Sequence, residues 1–171
     1  MGHRKTKNID YDDKPSRTFI KNIFEHKFGI KLKDGKHKKI DLVGIEDDLL
    51  GVEVEHGHWE GDLWTNDQYS WLAKLDFRTV NIPIRKAPYW EDYVDGKPNL
   101  SAKYNIFVRT NMDFTQFIII RPETIRDPKK VHKTRFLANN NDVEEDWLSF
   151  KKIDVETYNL QPNGEFILEN I

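Results

Sequence analysis

Lys39-Ile40-Asp41-Leu42-Val43-Gly44-Ile45 and Leu50-Gly51-Val52-Glu53-Val54-Glu55-His56 are two short runs separated by the acidic turn Glu46-Asp47-Asp48. Apolar and polar side chains alternate with a period of two, and the turn between the runs predicts an antiparallel hairpin. Centring the turn on Asp47 sets Ile40 opposite Val54, Leu42 opposite Val52 and Asp41 opposite Glu53. One face is then apolar, and Asp41, Glu53 and Glu55 share the other. Directly opposed residues stand about 4.5–5.5 Å apart at Cβ, where like charges repel. Two arrangements relieve this. The side chains splay into water, or a divalent cation sits among them, because hard cations such as Mg²⁺ take carboxylate oxygens.

Working outward, a helix is predicted over Pro15–Lys27, with Pro near its first turn, Gly29 just past its end, and Phe19, Ile20, Ile23, Phe24 and Phe28 as its apolar stripe. A Lys-rich link carrying Asp34-Gly35 joins it to the hairpin. Beyond the hairpin, residues 57–62 read as a loop, and Thr65 with Gln68 makes a capping-box pattern opening a short helix to about Leu75. Thr79–Arg85 reads as a strand in which Pro83 marks an end, an edge or a bulge. Ala87–Leu100 reads as a loop, and Tyr104–Thr110 with Thr115–Arg121 as a second hairpin. In the tail, a helix is expected near Pro128–Phe136, then a polar loop at Asn139-Asn140-Asn141 and a weakly periodic segment carrying Trp147, Phe150, Ile153, Tyr158 and Leu160. This order implies one mixed α/β domain over residues 1–171 with a central sheet.

The chain has 171 residues, 33% charged, 37% hydrophobic and 12% aromatic, which fits one folded domain with a real core. It has no cysteine, which excludes a disulfide framework, thiolate zinc sites and a catalytic thiol, and makes a reducing cytoplasm the natural compartment. No run approaches the ~20 apolar residues of a membrane span, so a protein without membrane partners is expected. The net charge of −2 says little about a polyanionic partner, but its distribution says more. Lys31, Lys33, Lys36, Lys38 and Lys39 lead into the acidic hairpin, Arg85 and Lys86 close the later strand, and Lys129, Lys130, Lys133 and Arg135 cluster downstream. Positive segments around an acidic centre suit a phosphate backbone approaching metal ions, although each cluster taken alone also reads as a solvated face.

Asp41 followed by Glu53-Val54-Glu55 at the end of the next strand resembles the PD-(D/E)XK nuclease superfamily, which includes many restriction enzymes and junction resolvases. The resemblance spans the first helix to Arg85, about half the chain. It implies a restriction-endonuclease-like core: helix, antiparallel hairpin, helix, strand, in a central mixed sheet flanked by helices, here with an extra C-terminal β-hairpin. It also implies a metal-dependent DNA endonuclease of bacterial or phage-infected cells, able to act as a homodimer. Asp41 and Glu53, joined by Glu25 from the first helix, would hold Mg²⁺ or Mn²⁺, and Glu55 would place or activate water. Two positions depart from the common pattern: Ile40 stands where Pro is usual, and Glu55 where Lys is usual. Lys74, Arg85 or Lys86 would then bring the missing positive charge from a neighbouring element. Arg85, Lys86, Lys38 and His58 are the candidate DNA contacts.

Competing readings stand beside this one. Alternating acids on a strand are ordinarily the solvent face of a half-exposed sheet. His56 and His58 lack the further ligands of a structural zinc site and read by default as exposed loop residues, and Trp59, Trp64 and Trp71 read as packed aromatics before they read as base-stacking platforms. No phosphate-cradling Gly-rich loop occurs. A catalytically inactive nucleic-acid- or protein-binding module on the same fold is the alternative to the nuclease, and a hydrolase using the His and acidic residues ranks third.

Overall fold

A computed structural model of the chain describes residues 14–36, 39–57, 60–65, 78–138 and 143–169, without the side chains of 134–145. Helix α1 (Lys14–Phe28) ends where expected: Gly29 takes a positive φ of 69°, and Ile30 N donates to Phe24 O at 2.9 Å, closing the left-handed cap. Ile20 and Phe24 are buried, and Phe19, Ile23 and Phe28 pack beside them.

The hairpin forms in the expected register. Strands β2 (Leu42–Gly44) and β3 (Gly51–His56) pair with Leu42 opposite Val52, and Gly44 N donates to Leu50 O at 2.9 Å across the turn. The Lys-rich link contains an unforeseen strand, β1 (Leu32–Asp34), antiparallel to β2. On β3, Val52 and Val54 face α1, and Glu53 and Glu55 point to the opposite side.

The strand expected at Thr79–Arg85 stops at Pro83 (β4, Thr79–Pro83) and does not join the hairpin's sheet. Ile84–Trp90 winds instead as a 3-10 helix, and Tyr93–Val94 (β5) with Lys97–Pro98 (β6) makes a small hairpin around Asp95-Gly96, inside the stretch expected to be loop. The place beside β3 is taken by β7 (Asn105–Thr110), which runs parallel to it with Glu55 beside Arg109. β8 (Gln116–Ile120) then pairs antiparallel with β7, so the second hairpin is the middle of the sheet and not a C-terminal addition.

The tail corrects a further expectation. Four-residue α2 (Pro122–Ile125) is followed not by a helix at Pro128–Phe136 but by a turn and β9 (His132–Ala138), which pairs with β10 (Val143–Lys151) over seven positions. The decisive partner is non-local, since β10 also takes β4 on its other edge. β11 (Glu156–Leu160) and β12 (Phe166–Leu168) complete the large sheet, ordered β1-β2-β3-β7-β8-β11-β12.

The molecule is therefore α/β with a large mixed sheet and few helices. Helices do not flank both faces among the described residues: α1 covers one, and the sheet β4-β10-β9 covers the other. Val80, Ile82, Leu148 and Phe150 of the smaller sheet pack against Phe107, Ile118 and Ile120 of the larger. The face carrying Glu53 and Glu55 is thus a layer interface rather than a solvated surface. No helix among the described residues is long and apolar enough to cross a membrane. The short helix expected from Thr65 lies, after Thr65 itself, outside the described residues until 78.

Gly51 lies on that interface face. A Cβ there would come within 2.4 Å of the Asn105 carboxamide oxygen and 2.9 Å of Ile40 Cδ1. Asn105 cannot easily yield, because its Nδ2 donates to Tyr89 O at 2.8 Å. Gly51→Ala is accordingly expected to cost about 1–2 kcal/mol by overpacking, measured as a lowered denaturant midpoint at unchanged m.

Candidate functional site

Asp41 and Glu53 interlock through backbone amides. Val54 N donates to Asp41 Oδ2 at 2.9 Å, and Asp41 N donates to Glu53 Oε1 at 3.3 Å. The expected opposition of the two carboxylates is therefore real, but neither splaying nor a metal is what balances it here. Lys86 does: its Nζ lies 2.9 Å from Glu53 Oε2 and 3.7 Å from Glu55 Oε2. The 3-10 helix delivers this ammonium from above the sheet. Its anchors are Trp90 Nε1, which donates to Asn105 O at 2.9 Å, and the Asn105 carboxamide on Tyr89 O.

Glu55 is held by a second cation. Arg109 on the neighbouring parallel strand donates from Nη2 to Glu55 Oε1 at 2.6 Å, while Glu55 Oε2 is buried without a hydrogen bond. Three carboxylates and two cations thus share a nearly dry space, in which Glu53 is 5% exposed. Burial pushes the Glu53 carboxyl up to about 7; the Lys86 ammonium opposes this and the Asp41 charge reinforces it. Burial would also raise Glu55, yet the charges of Arg109 and Lys86 outweigh it and hold that carboxyl below its usual range. Lys86 itself is raised: burial works against its charge, but Glu55, Glu53 and Asp41 together prevail. One ammonium divided among three carboxylates leaves Glu53 the least satisfied of them.

The remaining expected residues divide sharply. Glu25 is exposed on α1, the helix covering the other face, and is not brought to Asp41 and Glu53. A helix that buries Ile20 and Phe24 against Val52 and Val54 cannot also send Glu25 through the sheet. Arg85 stands exposed at the rim, and its charge reaches Glu55. Lys38, His58, Trp59, Trp71 and Lys74 lie outside the described residues. Trp64 is a packed aromatic, buried with Nε1 donating to Thr157 Oγ1 at 3.1 Å. His56 is not an exposed loop residue but the last residue of β3, half-buried, with Nδ1 2.7 Å from Ser16 Oγ on the α1 side. Arg109 and Tyr89 are members of the site that sequence reasoning missed. A lone Arg on the otherwise apolar β7 and the spacing Lys86-x-x-Tyr89 were the available signals.

The donor set suits a hard divalent cation in kind: carboxylates on adjacent rigid strands, one of them reluctant to ionise because its charge is under-compensated. Among the described residues, however, no three acidic or histidine side chains are grouped to hold a metal. Asp41 and Glu53 are the pair that fits, which matches Mg²⁺, an ion commonly held by one or two carboxylates with waters and substrate phosphate completing the shell. No protein-family model, curated protein or solved structure matches the chain.

Proposed function

We propose that the chain is a metal-dependent deoxyribonuclease of the PD-(D/E)XK type it resembles, with the lysine of the motif supplied from outside the motif. The observation that carries this reading is the Asp41–Glu53 pair on adjacent strands with the Lys86 ammonium 2.9 Å from Glu53. Glu55 occupies the position where the motif has Lys, and Lys86 brings a cation to that same place from the 3-10 helix. Asp41 and Glu53 would hold Mg²⁺ or Mn²⁺, which when bound polarises a phosphoryl oxygen and makes water a nucleophile near neutral pH. Lys86 neutralises charge on the attacked phosphate or orients the water, and Glu55, clamped by Arg109, positions Lys86. Arg85 at the rim meets the backbone phosphates.

A second reading has one observation in its favour. Glu55 is fully engaged by cations of the chain itself, which suits a DNA- or protein-binding module that has lost catalysis. Incubation with supercoiled, linear, single-stranded and branched DNA in Mg²⁺, Mn²⁺ or chelator separates the two. Metal-dependent cleavage that Lys86→Met lowers by on the order of 10²-fold is the expected result. DNA left intact in every condition sinks the nuclease and leaves the binding module.

A further inference from the structure

A 3-10 helix has three residues per turn, so every third side chain lies on one face. Along Ile84–Trp90 this rule sorts the residues by surroundings. Ala87 and Trp90 share the core face and pack in the cluster containing Phe107 and Ile118. Arg85 and Pro88 share an exposed face. Lys86 and Tyr89 share the third, which looks onto the carboxylates. Tyr89 feels them directly: burial raises its phenol above the ordinary range, and the charges of Glu53 and Asp41 raise it further.

The residue is placed firmly at its backbone and left unengaged at its tip. Its carbonyl accepts from Asn105 Nδ2 at 2.8 Å and Asn99 Nδ2 at 3.2 Å, and its ring stands edge-on to Trp90 at 6.0 Å and 88°. The hydroxyl hydrogen-bonds to no described residue. A buried-edge tyrosine ordinarily finds a partner for its O–H. This one is half-buried beside two acids and a lysine, with its donor still to spend.

We propose that Tyr89 contacts substrate, donating a hydrogen bond from its hydroxyl to a non-bridging oxygen of the phosphodiester that lies against Lys86. The proposal rests on the nuclease reading. A phosphate diester entering this site meets the like charges of Asp41 and Glu53, and the one ammonium on that side is shared with three carboxylates. A neutral donor adds attraction without a further cation to compete for the acids or repel a metal. The same carboxylates that disfavour an anionic phenolate keep the proton in place, so Tyr89 remains a donor through the neutral and mildly alkaline range.

The test uses Tyr89→Phe and a DNA duplex synthesised with oxygen, Rp-phosphorothioate or Sp-phosphorothioate at a position the wild type cuts in Mg²⁺. The variant is expected to lose about 10- to 100-fold in kcat at little change in KM, the scale of one lost donor to developing charge. It should also alter the Rp/Sp rate ratio at least about fivefold, because sulfur no longer weakens a bond that is already gone. Tyr89→Met controls for packing: both variants lose the hydroxyl and must fall alike in kcat even where their stabilities differ. Wild-type kcat in Tyr89→Phe, or slowing with an unchanged diastereomer ratio, overturns the proposal while the nuclease stands. A wild-type chain that cuts none of the substrates overturns the nuclease reading and this contact with it.

Discussion

Glu53→Gln is expected to lower DNA cleavage on the order of 10³-fold while making the fold more stable, and the two effects share one cause. Glu53 is buried, and its carboxyl is pushed up to about 7 from 4.5, so ionising it in the folded chain costs about 3 kcal/mol at alkaline pH. Gln keeps the shape and can still accept from Asp41 N, but Lys86 loses its 2.9 Å partner, leaving a net gain of about 1–2 kcal/mol. For a chain of this length that is about 4 °C in Tm. The sign follows from linkage. A group whose folded pKa is raised supports the fold below its unfolded pKa and loses that support as pH rises through the folded value. The variant's advantage should therefore be near zero at pH 4.5 and full by pH 8, in melts run without divalent cations. Mg²⁺ should then stabilise the wild type and not the variant, because only the wild type holds the pair that fits it. A variant less stable than wild type at pH 8 would mean that Lys86 fully compensates Glu53, and the electrostatic case for a metal would go with it.

Where the sequence was legible, two constraints agreed. Leu42 opposite Val52 satisfies the apolar face, and the turn at Asp47 gives the same register, so the hairpin and its acidic side followed from residues 39–56 alone. What stayed hidden depended on partners distant in the chain. Arg109 looks like an incidental charge on an apolar strand until β7 runs parallel to β3 and sets it beside Glu55. The run Thr79–Pro83 is a strand as its composition suggests, but nothing local distinguishes pairing with the hairpin from pairing with β10, some 65 residues later. β9 was mistaken for helix for the same reason. Lys86 was within reach as a candidate because Pro83 marked the strand's end. The 3-10 winding that aims Lys86 and Tyr89 together was not, since it depends on the anchors at Trp90 and Asn105. Glu25 failed because helical position alone does not say which face of a sheet the helix covers.

Arg109→Met is expected to be the most destabilising single change near the site, at about 2–3 kcal/mol near pH 7. Breaking a buried pair by removing one partner costs about 3–5 kcal/mol, and the residual exposure of Arg109 and Glu55, 15% and 18%, trims that figure. Methionine retains much of the apolar stem, so the loss falls chiefly on charge. Glu55 is then left with Lys86 at 3.7 Å and an Oε2 that already lacks a hydrogen bond. Its carboxyl, held below the usual range by Arg109 and Lys86, should rise as burial takes over. A depressed carboxylate supports the fold above its unfolded pKa and loses that support as pH falls, so the gap between wild type and variant should narrow toward pH 4, where Glu55 is protonated in both. Adding Glu55→Gln to Arg109→Met removes the orphaned charge, and the double variant should recover part of the loss, a coupling read from the full cycle of melts. A gap that stays constant with pH would place the role of Arg109 in packing. In the expected case the same substitution also slows DNA cleavage, because a Glu55 released by Arg109 draws Lys86 toward itself and away from the Asp41–Glu53 pair.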